Sequence, residues 1–425
     1  MPRIIFITEL TLWSMGKGHG GPAFTQTVKK YIDEGWDVYL ISDEPGNAGF
    51  PSLDQAHNIV LPLTRFSKLG EIRKVGILFR YLEQLSSYIR FSRCCDRILR
   101  KDHTDTIIYA YELLRFFPAR RCSQKYHLPL VTRFQGTKLI AGGPHTLLQK
   151  IRCFPTYQAT AFPSDLVIMT DDGTQGDRVL RELGNTSPTL FLRNGLDLMG
   201  WDIPARIAAF DTASFRAALG IGTDETMFLT VSRLENWKRV ERAINGFAEF
   251  CRSGRAGQLV IVGDGASRTE LEMLASSLGV AGRVLFTGSV AHDAVYDYMM
   301  AADVFLSLYD LSNVGNPLLE AMTLGKCVIT LDVGDTRSLI HDRENGILLT
   351  METLPTLGAI MLELAERPAL RQQLGAAAAE YAQENFYTWQ KRMDLEFQAV
   401  KALLKHLCMP NIRAGFKFHS KNRTS

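Results

Sequence analysis

Between residues 303 and 329 an apolar run (VFLSL, 304–308) passes into a polar, glycine-bearing loop, then a segment opening NPLLEAM at 316, then a second apolar run (CVIT, 327–330). Two short apolar runs separated by a helical segment read as a βαβ unit with its strands parallel and buried. The junction between loop and helix is equally constrained. Asn316 is placed as N-cap and Pro317 as the first helical residue. That start predicts free backbone N–H groups near Leu318 and Leu319, and a helix N-terminus at the carboxyl end of a buried strand suits an anionic diphosphate. Glu320, read as part of the same first turn, can accept hydrogen bonds from vicinal ribose hydroxyls.

The same alternation runs through the whole chain. Apolar strands at 4–8, 36–41, 106–109, 130–132, 166–169 and 189–192 predict one doubly wound parallel sheet. A second series at 227–231, 258–262, 284–286, 304–308, 327–330 and 346–349 predicts another. A chain of 425 residues exceeds one ordinary core and suits two domains of roughly 200 residues. The expected division is 1–196 for the first domain, 197–383 for the second, 384–408 for a terminal helix, and 409–425 for a basic, disordered tail.

Composition narrows the setting. A formal charge of +3 decides nothing about nucleic acid, and no recognition module for it is present. The seven cysteines include no Cys-x-x-Cys pair, which favours buried thiols in a reducing compartment over disulfides or a zinc site. The amino-terminal residues lack the apolar stretch of a secretory leader, and no run of about 18 apolar residues would span a bilayer. A cytoplasmic protein is the expectation.

The ordered set VSRL (231–234), Lys238, VIVGDG (260–265), LFTG (285–288), Ala302 with Asp303, and LEAM (319–322) resembles the retaining nucleotide-sugar glycosyltransferases of the GT-B fold, glycosyltransferase family 4, also called group 1. The resemblance implies two Rossmann-like α/β domains facing across a cleft, with the terminal helix crossing back onto the first. It implies metal-independent transfer of a sugar, with retention, from a nucleotide diphosphate sugar to a glycan or lipid-linked acceptor, and no cofactor beyond the donor itself.

Candidate residues follow. Arg233 and Lys238 flank a strand-to-helix loop and would meet the diphosphate, where basic side chains near a helix start need an anion. Glu320 matches the second glutamate of the family's Glu-x7-Glu motif. Ser312 stands where the first would be, so either Asp310 or Ser312 would take the donor sugar, with Gly315 giving the loop freedom to turn. Gly20 and Gly21, in the loop GHGG (18–21), would approach a ligand closely. Gly265, Asn316, Leu318 and Leu319 complete the donor side. On the acceptor side, Gln135 replaces a histidine common in relatives; it can hydrogen-bond but cannot exchange a proton near neutral pH. Arg133 is either an acceptor-side base or half of a structural salt bridge. The nine histidines show no metal-ligand spacing, and the pair Asp171 and Asp172 before Gly173 reads as a turn. A basic, aromatic-bearing stretch over 65–101 is either a packed helix or a docking face for an anionic membrane surface. Two other functions remain open: a weakly active nucleotide-sugar-binding partner of another transferase, and a GT-B sugar-nucleotide epimerase.

Overall fold

The computed structural model describes residues 1–8, 22–43, 55–64, 76–112, 115–137, 139–143, 146–311 and 313–407. The chain forms two compact units, one of residues 1–170, 176–192 and 390–425, the other of residues 171–175 and 193–389.

The first unit holds a sheet of seven strands: β1 (Arg3–Thr8), β2 (Asp37–Ser42), β3 (His57–Val60), β4 (Thr106–Tyr111), β5 (Leu130–Phe134), β6 (Leu166–Thr170) and β7 (Thr189–Leu192). Their order is β3-β2-β1-β4-β5-β6-β7, every pair parallel. All residues of β4, β5 and β6 are buried, as strands covered on both faces must be. The sequence reading had no counterpart of β3: its four residues, HNIV, are polar or half exposed at an edge. One face of the sheet packs Ile4, Phe6, Val38 and Tyr109 against Phe24, Val28 and Tyr31 of the helix Pro22–Asp33. Phe397 and Val400 complete that core from the helix Trp389–Leu407.

The second unit has six strands: β8 (Thr226–Val231), β9 (Gly257–Val262), β10 (Val284–Gly288), β11 (Val304–Ser307), β12 (Cys327–Leu331) and β13 (Ile347–Leu349). The order β10-β9-β8-β11-β12-β13 is again wholly parallel. From β8 the chain steps outward through β9 to β10, then returns to lay β11 on the other side of β8 and steps outward again. The strand order thus reverses between β8 and β11, and loops leaving their carboxyl ends diverge. Such a switch point is where doubly wound sheets open a crevice for ligands. Asp303 fixes this pair by accepting from the Met227 amide at 2.8 Å while meeting Arg216 at 2.7 Å. Two apolar clusters, one on each face, hold the sheet between its helices.

Candidate functional site

The loop after β8 carries Arg233, Leu234 and the 3-10 turn Asn236–Lys238. It is stitched to the loop after β9: the Ser232 amide donates to Val262 at 3.0 Å, the Leu234 amide to Asp264 at 2.9 Å, and the Ser267 amide to Leu234 at 2.9 Å. Gly265 lies so close to the Leu234 backbone that a Cβ would collide with its carbonyl. A glycine is therefore required there by chain packing. Arg233 is exposed. The Lys238 ammonium is wedged between two rings, 4.2 Å from the Trp237 centroid and 3.9 Å from that of Tyr309. Burial, reinforced by Arg233 and opposed by Asp172, pushes this ammonium down to about 7. Aromatic faces favour a cation electrostatically, but here desolvation outweighs them.

The loop after β11 is held from inside. Asn313, 1% exposed, accepts from the Tyr309 amide at 3.0 Å and returns a bond to the Tyr309 carbonyl at 2.9 Å. The Tyr309 hydroxyl donates to the Val231 carbonyl at 2.9 Å. Tyr309 thereby ties the loop after β11 to the end of β8, and its ring faces the Lys238 ammonium. Asp310, one of the two candidates for the donor sugar, is engaged by two arginines: Arg242 Nη2 at 2.6 Å and Arg239 Nε at 3.2 Å. Ser312 lies outside the described residues, as do Gly20 and Gly21.

The helix Asn316–Thr323 starts one residue earlier than its sequence predicts. Gly315 is the N-cap, in ordinary extended backbone (φ −83, ψ 163), so its freedom to turn is not used. Asn316 does not cap: its side-chain oxygen accepts from Asn194 at 3.0 Å. The amides of Leu318 and Leu319 are not free, since both donate to the Gly315 carbonyl, at 3.1 and 3.3 Å. Once Gly315 precedes the first turn, its carbonyl becomes their natural acceptor. Glu320 accordingly sits in the second turn, buried at 3% exposure, with His292 Nε2 3.5 Å from its Oε1.

The acceptor-side candidates lie in the first unit. Arg133, on β5, has no exposed surface; it pairs with Glu396, which also holds Arg392, while the Tyr109 hydroxyl donates to Glu396 at 2.6 Å. It is half of a structural salt bridge, and it has no exposed surface to offer an acceptor. Gln135 is half buried, its amide donating to the Tyr111 hydroxyl at 3.1 Å. Asp171 to Gly173 form a turn with Gly173 at φ +89, and the Arg193 guanidinium meets Asp171 at 3.3 Å.

Trp237, Tyr309, Asn313, Arg242 and His292 were not singled out from the sequence. The one local signal was composition: an asparagine and an aromatic inside a loop that leaves a buried strand, where a loop must supply its own hydrogen bonds.

Two wholly parallel sheets, of seven and six strands, are the two Rossmann-like domains of the GT-B class, and solved structures agree. Sucrose-phosphate synthase from Thermosynechococcus elongatus superposes with a TM-score of 0.72 at 19% identity, covering 95% of this chain and 100% of that one. Anabaena Alr3699/HepE in complex with UDP gives 0.69 at 20%, covering 94% and 100%. The family model for glycosyl transferases group 1 matches residues 211–381, which form a domain of that family. Among curated relatives, the α-D-kanosaminyltransferase of Streptomyces kanamyceticus is 30% identical over 167 residues, 39% of this chain and 43% of that protein. The alpha-monoglucosyldiacylglycerol synthase of Streptococcus pneumoniae is 29% identical over 193 residues, 45% and 43%. The chain thus spans less than half the length of these two relatives.

Proposed function

We propose that the chain transfers a glycosyl group from a nucleotide diphosphate sugar to a glycan or lipid-linked acceptor, with retention and without a metal ion. The observation that carries this reading is the Lys238 ammonium, held between Trp237 and Tyr309 at the switch point, where Asp172 offsets the cost of its burial only in part. Lys238 and Arg233 take the diphosphate, the helix from Asn316 approaches it, and Glu320 accepts from the ribose. As the bond between the anomeric carbon and the diphosphate oxygen breaks, negative charge grows on the leaving group, where two cations stabilise it most. The acceptor oxygen attacks from the same face, and its proton passes to a departing phosphate oxygen; a nucleoside diphosphate and a glycoside of unchanged anomeric configuration result. Gln135, which cannot take a proton, is consistent with that route. The names of the two curated relatives, both sugar transferases or synthases, and the UDP bound by the Anabaena protein support the class of reaction.

Screening UDP-, GDP- and ADP-sugars for thermal stabilisation, then assaying transfer with the one that binds, tests the proposal. Donor binding with no turnover across a broad acceptor panel would identify a binding partner instead. Release of an altered sugar nucleotide without acceptor would identify an epimerase.

For an acceptor held in lipid, the reading extends to an anionic membrane surface on the cytoplasmic side. Among the described residues no helix is long and apolar enough to cross a membrane. The helix Gly76–Leu99 exposes Tyr81, Leu85 and Ile89 at four-residue spacing, followed on the same stripe by Arg93 and Arg97. The stripe offers apolar insertion beside basic charge. Arg65, Lys68, Arg73 and Lys74, expected to share the task, lie outside the described residues. Salt-insensitive or absent binding to anionic vesicles would end this part of the proposal.

A further inference from the structure

Glu320 is an ionisable group almost sealed from water, and such a group needs partners from the protein. Its neighbour is His292, the first residue of the helix His292–Ala301, whose Nε2 stands 3.5 Å from Glu320 Oε1. The imidazole is itself fixed. Its Nδ1 lies 3.4 Å from the Tyr296 hydroxyl, the two rings meet edge to face at 5.1 Å, and Tyr296 meets Trp201 in the same way at 5.0 Å. Three elements present charge to this ring: Glu320 from the helix Asn316–Thr323, Asp197 from the 3-10 turn Asp197–Gly200, and Asp293 from its own helix.

We propose that His292 is a positioning residue for Glu320, orienting its carboxylate toward the ribose of a bound nucleoside diphosphate. The proposal rests on the ribose role of Glu320. A carboxylate has two oxygens, and a donor that holds Oε1 fixes the plane in which the carboxylate accepts bonds from vicinal hydroxyls. Without that donor the carboxylate keeps only the Tyr296 hydroxyl nearby, and its plane is less constrained. A helix N-terminus ordinarily disfavours a protonated histidine. Here the bond to Glu320 outweighs both that dipole and burial, with Asp197 and Asp293 adding to it, and the imidazolium persists above the usual histidine range. As pH rises through that raised range, His292 loses its charge. The bond to Glu320 then becomes a neutral one of roughly half the strength. The preference for an intact ribose should weaken over the same interval.

The experiment is calorimetric titration with uridine, guanosine and adenosine diphosphates and with their 2′,3′-dideoxy counterparts. The affinity ratio between each diphosphate and its dideoxy form reads the ribose contact. For the parent at pH 6 this ratio should be on the order of tenfold or more, as hydrogen bonds to a charged group give. It should collapse in Glu320→Gln and fall several-fold in His292→Gln. It should decline between pH 6 and 9 in the parent and stay flat in His292→Gln. The double variant should be no worse than Glu320→Gln alone, because both act through one carboxylate.

If Glu320→Gln leaves the ratio unchanged, the ribose reading of Glu320 fails, and the proposal with it. If Glu320→Gln collapses the ratio while His292→Gln keeps the parental ratio and pH profile, the ribose reading stands and the role of His292 is overturned. A tighter complex in His292→Gln would show that histidine competes with ribose for the carboxylate, which also overturns it. Should His292→Gln fail to fold, the pH profile of the parent decides, since a flat ratio between pH 6 and 9 refutes the proposal.

Discussion

Arg133 and Lys238 are both cations associated with the strands of a parallel sheet, and the two units use them in opposite ways. Arg133 lies within β5, wholly buried, and its charge is met by Glu396. Lys238 lies seven residues past the end of β8, between two aromatic faces, with its ammonium pushed down to about 7 and Asp172 opposing that shift only in part. A cation inside a strand is compensated by the protein and holds the protein together. The cation on the loop beyond β8 is only partly compensated, and the proposed function assigns that deficit to the diphosphate.

The sharpest way to break this comparison is Glu396→Gln. Removing the carboxylate leaves Arg133 and Arg392 buried and mutually repelling, a loss of about 3–5 kcal/mol. Chemical denaturation should show the first unit weakened by that order, while nucleoside diphosphate affinity, which the proposed function assigns to the second unit, stays near the parental value. Burial works against ionisation of Glu396, yet Arg133 and Arg392 outweigh it and hold its carboxyl below the usual range. Its contribution is therefore present above the ordinary glutamate range and disappears as pH falls through the lowered one. Equal stability of parent and variant at pH 7 would refute the compensated role.

Next in size is Lys238→Ala. If the ammonium meets charge that develops on the leaving diphosphate, turnover should fall by about 10²–10³, or 2.7–4 kcal/mol, with a smaller loss of donor affinity. A folded variant with parental kcat would remove Lys238 from the mechanism. The parent also carries a pH signature. Below about 7 the ammonium is already charged and affinity for a diphosphate should be flat. Above 7 binding must take up a proton, and affinity should fall by up to roughly tenfold per pH unit. Titrations from pH 7.5 to 9 in buffers of different ionisation enthalpy would detect that uptake, and it should vanish in Lys238→Ala.

The smallest expected effect is that of Asp310→Asn. With Arg242 and Arg239 on its carboxylate, Asp310 serves the loop, and its half-exposed pair should contribute no more than about 1 kcal/mol of stability. Transfer should remain close to parental. A large loss of transfer with unchanged nucleoside diphosphate affinity would return Asp310 to the sugar and blur the line between compensated and uncompensated charge.

Much of this was legible in the chain because buried parallel strands are written as continuous apolar runs, and every strand longer than four residues falls on one. β3 escaped because its stability comes from neighbours: His57 stacks on Tyr39 at 4.4 Å and meets Asp37 at 3.1 Å. The loops of the switch point were legible too, since glycine, proline and polar residues follow the apolar runs. What was not legible is pairing across sequence distance. LVTRF left Arg133 open between an acceptor-side base and half of a salt bridge, and only Glu396, 263 residues away, identifies its partner. The same holds for Asp310, whose partners Arg239 and Arg242 lie at the opening of another helix, and for Glu320, whose histidine neighbour opens the helix His292–Ala301.

The helix Trp389–Leu407 has a consequence in time. Phe397 and Val400 close the core that β1, β2 and β4 begin, and Glu396 supplies the charge that Arg133 awaits. On a ribosome these residues emerge only after the whole of the second unit. The amino-terminal half of the chain should therefore wait with its core unfinished while residues 193–389 complete their fold. Order of synthesis and order of completion are inverted, and a chain interrupted near residue 389 should retain a folded second unit attached to a first unit that exposes Tyr31, Trp36 and an unpaired Arg133 to chaperones and proteases.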